Sequence, residues 1–128
     1  MLFLGGWFYQ SQRQDLPRAN DRVLASKDSP DGRFTAFIVI READSLSADV
    51  IKVFVTPRGG SWNQGKMLLV GRRFSSLGEL DWLRADRLCL LASSDGVEEQ
   101  VNRAWISERD LRFQVQPDGD ACERASWA

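Results

Sequence analysis

Two runs of this chain, Arg33–Arg41 and Val50–Thr56, are apolar on both sides when read with the period of an extended strand. In the first, Phe34, Ala36, Ile38 and Ile40 fall on one side and Thr35, Phe37 and Val39 on the other. In the second, Ile51, Val53 and Val55 oppose Val50, Lys52 and Phe54. A strand of this kind has no face to leave in water, so it belongs in the middle of a sheet with both faces covered. The covers must come from the rest of the chain or from a partner.

The first run is opened by Ser29-Pro30-Asp31-Gly32. This is a turn with a mechanism: proline presets φ at the second position, aspartate bonds back to its own backbone, and glycine accepts a positive φ. Beyond the second run, Arg58 to Gly65 contains three glycines but lacks the order of a phosphate-cradling loop, and it reads as a hairpin loop. Three more strands are expected at Lys66–Arg72, Leu77–Leu83 and Arg87–Ser93. Leu111, Phe113 and Val115 then alternate with Arg112, Gln114 and Gln116, which marks an edge strand with one wet face. Between them, Val97, Val101, Ala104 and Trp105 recur at helical spacing, and Asp95 with Glu98 has the form of a capping box, so Asp95–Ile106 is expected as a helix. Ser94-Asp95-Gly96 is also a good hairpin turn, and a β-hairpin is the competing reading of that stretch. The fold class is therefore mainly β: an antiparallel β-meander of five to six strands, curled or half-barrel-like, with one short helix.

The 128 residues hold one domain. Met1 to Tyr9 is an apolar segment, residues 10–28 a polar linker or arm, residues 29–117 the antiparallel β domain and residues 118–128 a tail. Nine residues are too few to span a bilayer, which takes about twenty. The segment reads as a short apolar strand or plug on the domain core, as the stump of a longer membrane anchor, or as an interfacial segment; Phe3, Trp7, Phe8 and Tyr9 are its membrane or docking residues, and the amphipathic rings of Trp7 and Tyr9 at the polar boundary suit the headgroup level.

Composition removes whole classes of chemistry. The chain has no histidine, so Ser-His-Asp and Cys-His pairs and His-based zinc sites are excluded. Seventeen basic against eighteen acidic residues leave a net charge of −1, and no global field draws the chain to nucleic acid, which is not expected as a partner. Cys89 lies in an apolar run and reads as a small buried hydrophobe, Cys122 sits in the polar tail, and spacing alone does not decide whether they pair. Asp28, Asp31, Asp118 and Asp120 fall short of a calcium loop and read as turn residues. Glu79 and Asp81, two apart on one strand face, would have neighbouring carboxylates as acid–base catalysis requires, although a solvated strand face beside Leu80 and Trp82 is the stronger reading. Arg72-Arg73-Phe74 is the one basic cluster with an aromatic beside it. No catalytic residue, metal or cofactor is expected.

The order Ser29-Pro30-Asp31-Gly32-Arg33-Phe34, then Val50 to Val55, Gly59-Gly60, Leu80-Asp81-Trp82 and Asp86-Arg87-Leu88 resembles one blade of a TolB-like β-propeller. The resemblance covers about half the chain and implies turn and strand geometry, with Trp82 as a packing residue. A propeller needs at least four blades, and only one full unit is present. Small exported bacterial proteins with a single meander of this kind look similar.

With several strands apolar on both faces and little to cover them, the chain reads as a non-enzymatic protein–protein interaction domain. The expected role is a small accessory subunit of a bacterial envelope or membrane-associated complex, at the cell envelope or the periplasm-facing side of a membrane, with the cytoplasm as the alternative. The partner is another protein covering an apolar sheet face through Phe37, Val39, Phe54, Trp62, Arg72 and Arg73, with a membrane surface met by the N-terminal segment. Two alternatives are an immunity-type protein that inhibits a toxin and a small hydrolase using Glu79 and Asp81.

Overall fold

The computed structural model describes residues 20–42, 48–117 and 122. Its strands in chain order are β1 (Asp21–Asp28), β2 (Phe34–Arg41), β3 (Val50–Pro57), β4 (Lys66–Arg72), β5 (Leu77–Arg84), β6 (Arg87–Ala92), β7 (Val97–Gln100), β8 (Arg103–Ile106) and β9 (Arg109–Gln116). Three-residue 3₁₀ turns at Trp62–Gln64 and Ser94–Gly96 interrupt them. The mainly β, meander-type fold expected from the strand pattern is present, in nine strands and two sheets instead of five or six strands in one. The first sheet runs β1-β2-β3-β4-β7 and the second β5-β6-β9-β8.

The strands that are apolar on both sides, β2 and β3, pair directly and lie inside the first sheet. Their inner residues, among them Ala36, Ile38, Val53 and Val55, share one core with Leu80 and Trp82 of β5, Leu88 and Leu90 of β6, and Leu111 and Phe113 of β9. The inner face is thus covered by the chain's own second sheet, so neither closure into a half-barrel nor a partner is required there. Pairing was underestimated because β7, β8 and β1 are short or polar and carry little alternation of their own.

Residues 21–28, assigned in sequence to the linker or arm, form a paired strand. The Ser29–Gly32 turn joins β1 to β2 as a hairpin: the Gly32 N–H donates to the Ser29 carbonyl at 2.9 Å, and Gly32 takes φ +73°. The buried Ser29 hydroxyl donates to Asp31 at 2.7 Å and accepts from the Phe34 N–H at 3.1 Å. At the far end of the hairpin, Arg41 grips both oxygens of Asp21, at 2.7 and 3.1 Å. Residues 10–19 of the linker and the 1–9 segment with Phe3, Trp7, Phe8 and Tyr9 lie outside the described residues.

The helix expected over 95–106 is not formed; the competing extended reading is closer. After β6 the chain turns at Ser94–Gly96, adds β7 to the edge of the first sheet beside β4, and crosses at residues 101–102 to become β8 on the edge of the second sheet. β9 then returns parallel to β6, the one parallel pairing among the described strands, and it lies inside the second sheet between β6 and β8 and not at the edge expected from its alternation, because the short strand β8 takes the edge position. The helical spacing of Val97, Val101, Ala104 and Trp105 arises from two four-residue strands separated by a corner. The capping box is likewise dissolved: the Asp95 carboxylate accepts from Ser75 and Ser93, and Glu98 pairs with Arg72 at 2.8 Å.

Two devices lock the crossover and the second sheet. Phe74 lies against Gly71 and Gly96, where a methyl group added to Gly96 would sit 2.5 Å from the ring and 2.8 Å from the Phe74 Cα. Cys89, buried on the central strand β6, is joined to Cys122 by a disulfide with the Cα atoms 5.9 Å apart. The bond fastens residue 122 to the outer face of the second sheet. Trp82 adds a tie between sheets: its indole N–H donates to the Lys27 carbonyl of β1 at 2.9 Å.

Gly96→Ala is expected to lower stability by about 1–3 kcal/mol, the usual cost of overpacking, measured by urea unfolding. Cys122→Ser, which opens a loop with a sequence separation of 33 residues, is expected to cost about 3–4 kcal/mol by chain entropy. An unchanged midpoint in non-reducing buffer would contradict the structural role of the bond.

Candidate interaction surface

The expected site residues on the outer face of the first sheet divide sharply. Phe37 of β2 and Trp62 of the β3–β4 loop are half-buried, whereas Val39 is 2% exposed and Phe54 fully buried, with the Trp62 ring 5.2 Å from that of Phe54. Val39 and Phe54 therefore offer no surface in this structure. Arg72 and Arg73 are exposed at the end of β4, Arg72 paired to Glu98 and Arg73 in a left-handed turn at φ +59°. Phe74 turns away from them into the Gly71–Gly96 notch, so the basic-aromatic cluster seen in sequence is not assembled in space.

Glu79 and Asp81 project from β5, exposed, with the Lys27 ammonium 3.8 Å from each. They form a surface ion-pair cluster. Asp28 accepts from the Thr35 hydroxyl, and Asp31 is occupied by Ser29, the Arg33 N–H and Arg109. Among the described residues no group of three or more acidic or cysteine side chains is placed to hold a metal ion.

The pairing of the second sheet instead assembles a surface that no contiguous stretch of sequence contains. Arg84 is opposite Arg87, Arg87 opposite Arg112 and Arg112 opposite Arg103, so four arginines cross β5, β6, β9 and β8 in one register row. Directly opposed residues share a face, and opposed like charges destabilise a sheet unless something offsets them. Asp110, opposite Trp105, supplies part of that offset. Its oxygens take Arg103 Nε at 2.8 and 3.0 Å and Nη2 at 2.7 Å, and Arg112 Nε stands 3.6 Å away. The Arg103 guanidinium, donating to the carboxylate, holds Asp110 below the ordinary carboxylate value, and Asp110 in turn raises Arg103.

Trp105 stands next to this pair and is 63% exposed, the most exposed large apolar side chain among the described residues. Val101, just before β8, is also exposed. Arg103, Ala104, Trp105 and Asp110 line an open depression of about 340 Å³. Sequence reading missed this site because it assigned Trp105 to a helix; the available signal was the hairpin reading of 95–106, which puts Arg103 and Trp105 on one face. Comparison of the chain with known protein families, curated proteins and solved structures finds no match.

The Asp110 carboxyl is expected to titrate with a midpoint below 3.8. Its folded value is depressed, so its contribution to stability is present above the unfolded value and is lost as pH falls through the folded one. A carbon-detected NMR titration of Asp110 with a midpoint at or above 3.8 would contradict the pair.

Proposed function

We propose that this chain is a non-enzymatic protein-binding domain of an oxidising compartment, acting as an accessory subunit of a cell-envelope complex. The observation that carries the reading is Trp105, a large aromatic side chain held in water beside a charge-assisted Arg103–Asp110 pair. Tryptophan and arginine are enriched among the few residues that dominate the binding energy of protein interfaces. The binding face differs from the one expected in sequence: it lies on β8 and β9 of the second sheet, where Trp105 and Arg103 are accessible and Val39 and Phe54 are not.

The Cys89–Cys122 bond supports the oxidising compartment. Disulfides persist outside the reducing cytosol, and this one is enclosed on a central strand, where it serves as a clamp. No helix among the described residues is long and apolar enough to cross a membrane. Glu79 and Asp81, exposed and held by Lys27, give the hydrolase reading no geometric support.

A photo-crosslinking residue at Val101, beside the proposed face, and another at Val23, on the opposite edge, test the reading in native cells. The expected result is one discrete, stoichiometric adduct from Val101 and none from Val23. Absence of adducts at both positions contradicts it. An adduct with an enzyme whose activity the purified chain abolishes would place the chain in the immunity class.

A further inference from the structure

The four edges of the two sheets are not equally protected. The pairings that hold edge strands β1, β5 and β7 each contain a register shift, at Val23/Ala25, at Leu77/Leu80 and Trp82/Arg84, and at Val70/Gly71. Such bulges twist an edge and spoil it as a template for another strand. The β8–β9 ladder runs from Arg103 to Ile106 without a shift, and β8 contains neither proline nor lysine. Its open side is therefore the one regular edge among the described strands.

The backbone of that edge is also oriented for use. The Phe113 N–H donates to the Asn102 carbonyl at 2.9 Å, which makes residues 102 and 113 a hydrogen-bonded pair. Antiparallel pairs alternate, so Ala104 and Ile106 spend their backbone groups on β9, while the N–H and C=O of Arg103 and Trp105 point to the open side. These are the two residues whose side chains form the exposed aromatic and basic face.

Charge favours one occupant. A second copy of the chain paired through β8 with Arg103 opposite Arg103 would bring two arginine rows together, and a copy in the neighbouring register, Arg103 opposite Trp105, would show itself as concentration-dependent dimerisation. An acidic strand meets the opposite situation: the Arg103 side chain is 64% exposed, and its bonds to Asp110 use Nε and Nη2, leaving Nη1 directed elsewhere. Carboxylates at alternate positions of an added strand would fall beside Arg103 while the strand covers Trp105.

We propose that β8 receives an extended acidic segment of a partner protein by strand addition, with Trp105 as the apolar anchor and Arg103 as the charge-reading residue. The proposal rests on the reading of the chain as a binding domain and specifies how that domain binds. Main-chain bonds to Arg103 and Trp105 would supply affinity, and the exposed Arg103 guanidinium would supply selectivity.

The test uses the full, disulfide-bonded chain and a displayed library of eight-residue peptides with threonine at alternate positions and all residues in between. The expected selection is rich in Asp and Glu and free of internal proline. A selected peptide should protect the Arg103 and Trp105 amides from exchange, and should lose about tenfold or more in affinity when its acids become Lys or when the protein carries Trp105→Ala or Arg103→Ala. Selection of basic or proline-containing peptides, or of none, overturns the proposal. So does concentration-dependent dimerisation abolished by Trp105→Ala, or equal retention by heparin and acidic peptide. A failed selection with a Val101 adduct still formed in cells overturns strand addition alone; failure of both overturns the binding reading too.

Discussion

The burial of β2 and β3 is the constraint from which the rest of this molecule follows. Both strands are apolar on each side, and a bare face would leave several buried-sized side chains in water at a cost of roughly 25 cal/mol per Å². The chain covers one of the two faces by folding its second half into another sheet over Phe34, Ala36, Ile38, Val53 and Val55, and on the other face Trp62 stands against Phe54. The Trp82 bond to Lys27 ties the sheets along one side. The β7–β8 crossover, which leaves one sheet and enters the other, ties them along the other side.

That crossover also explains where the candidate surface comes from. To pass between sheets within ten residues, 97 to 106, the chain makes two strands of four residues each. A strand so short alternates only twice, and β8 spends its inward positions on Ala104 and Ile106, which join the core. Arg103 and Trp105 are left on the outer face by geometry. Their exposure is a consequence of topology, and it is also where the edge lacks the bulges that the other three edges carry.

The legible parts of the fold were those in which local chemistry and tertiary packing agree. The Ser29–Gly32 turn, the central runs 34–41 and 50–57, and the alternation of 111–116 were all readable because each carries its own turn residues or its own period. β1 was not readable, since the apolar residues of Asp21–Asp28 form one contiguous block, Val23-Leu24-Ala25, with no alternation, and the strand pairs along the edge that β2 offers it. The stretch 95–106 misleads because one corner at 101–102 superposes a helical spacing on extended backbone, and because Asp95 bonds to Ser75 and Glu98 to Arg72 in place of a helix N-terminus. The site was less legible than the fold. An arginine row drawn from positions 84, 87, 103 and 112 exists only once register is known. The disulfide was equally out of reach, because pairing depends on residue 122 reaching the outer side of β6.

The account's central claim is that Trp105 stands in water on the free chain and is covered when the chain meets its partner. Fluorine NMR of the protein labelled with 5-fluorotryptophan, with the Trp105 signal assigned by Trp105→Phe, reads this directly in purified protein and in native envelope extract. The account predicts a large solvent isotope shift for Trp105 in the purified chain and its loss in the extract, with the Trp82 signal unchanged. A Trp105 signal already shielded in the purified chain, or still fully solvated in the extract, would contradict it.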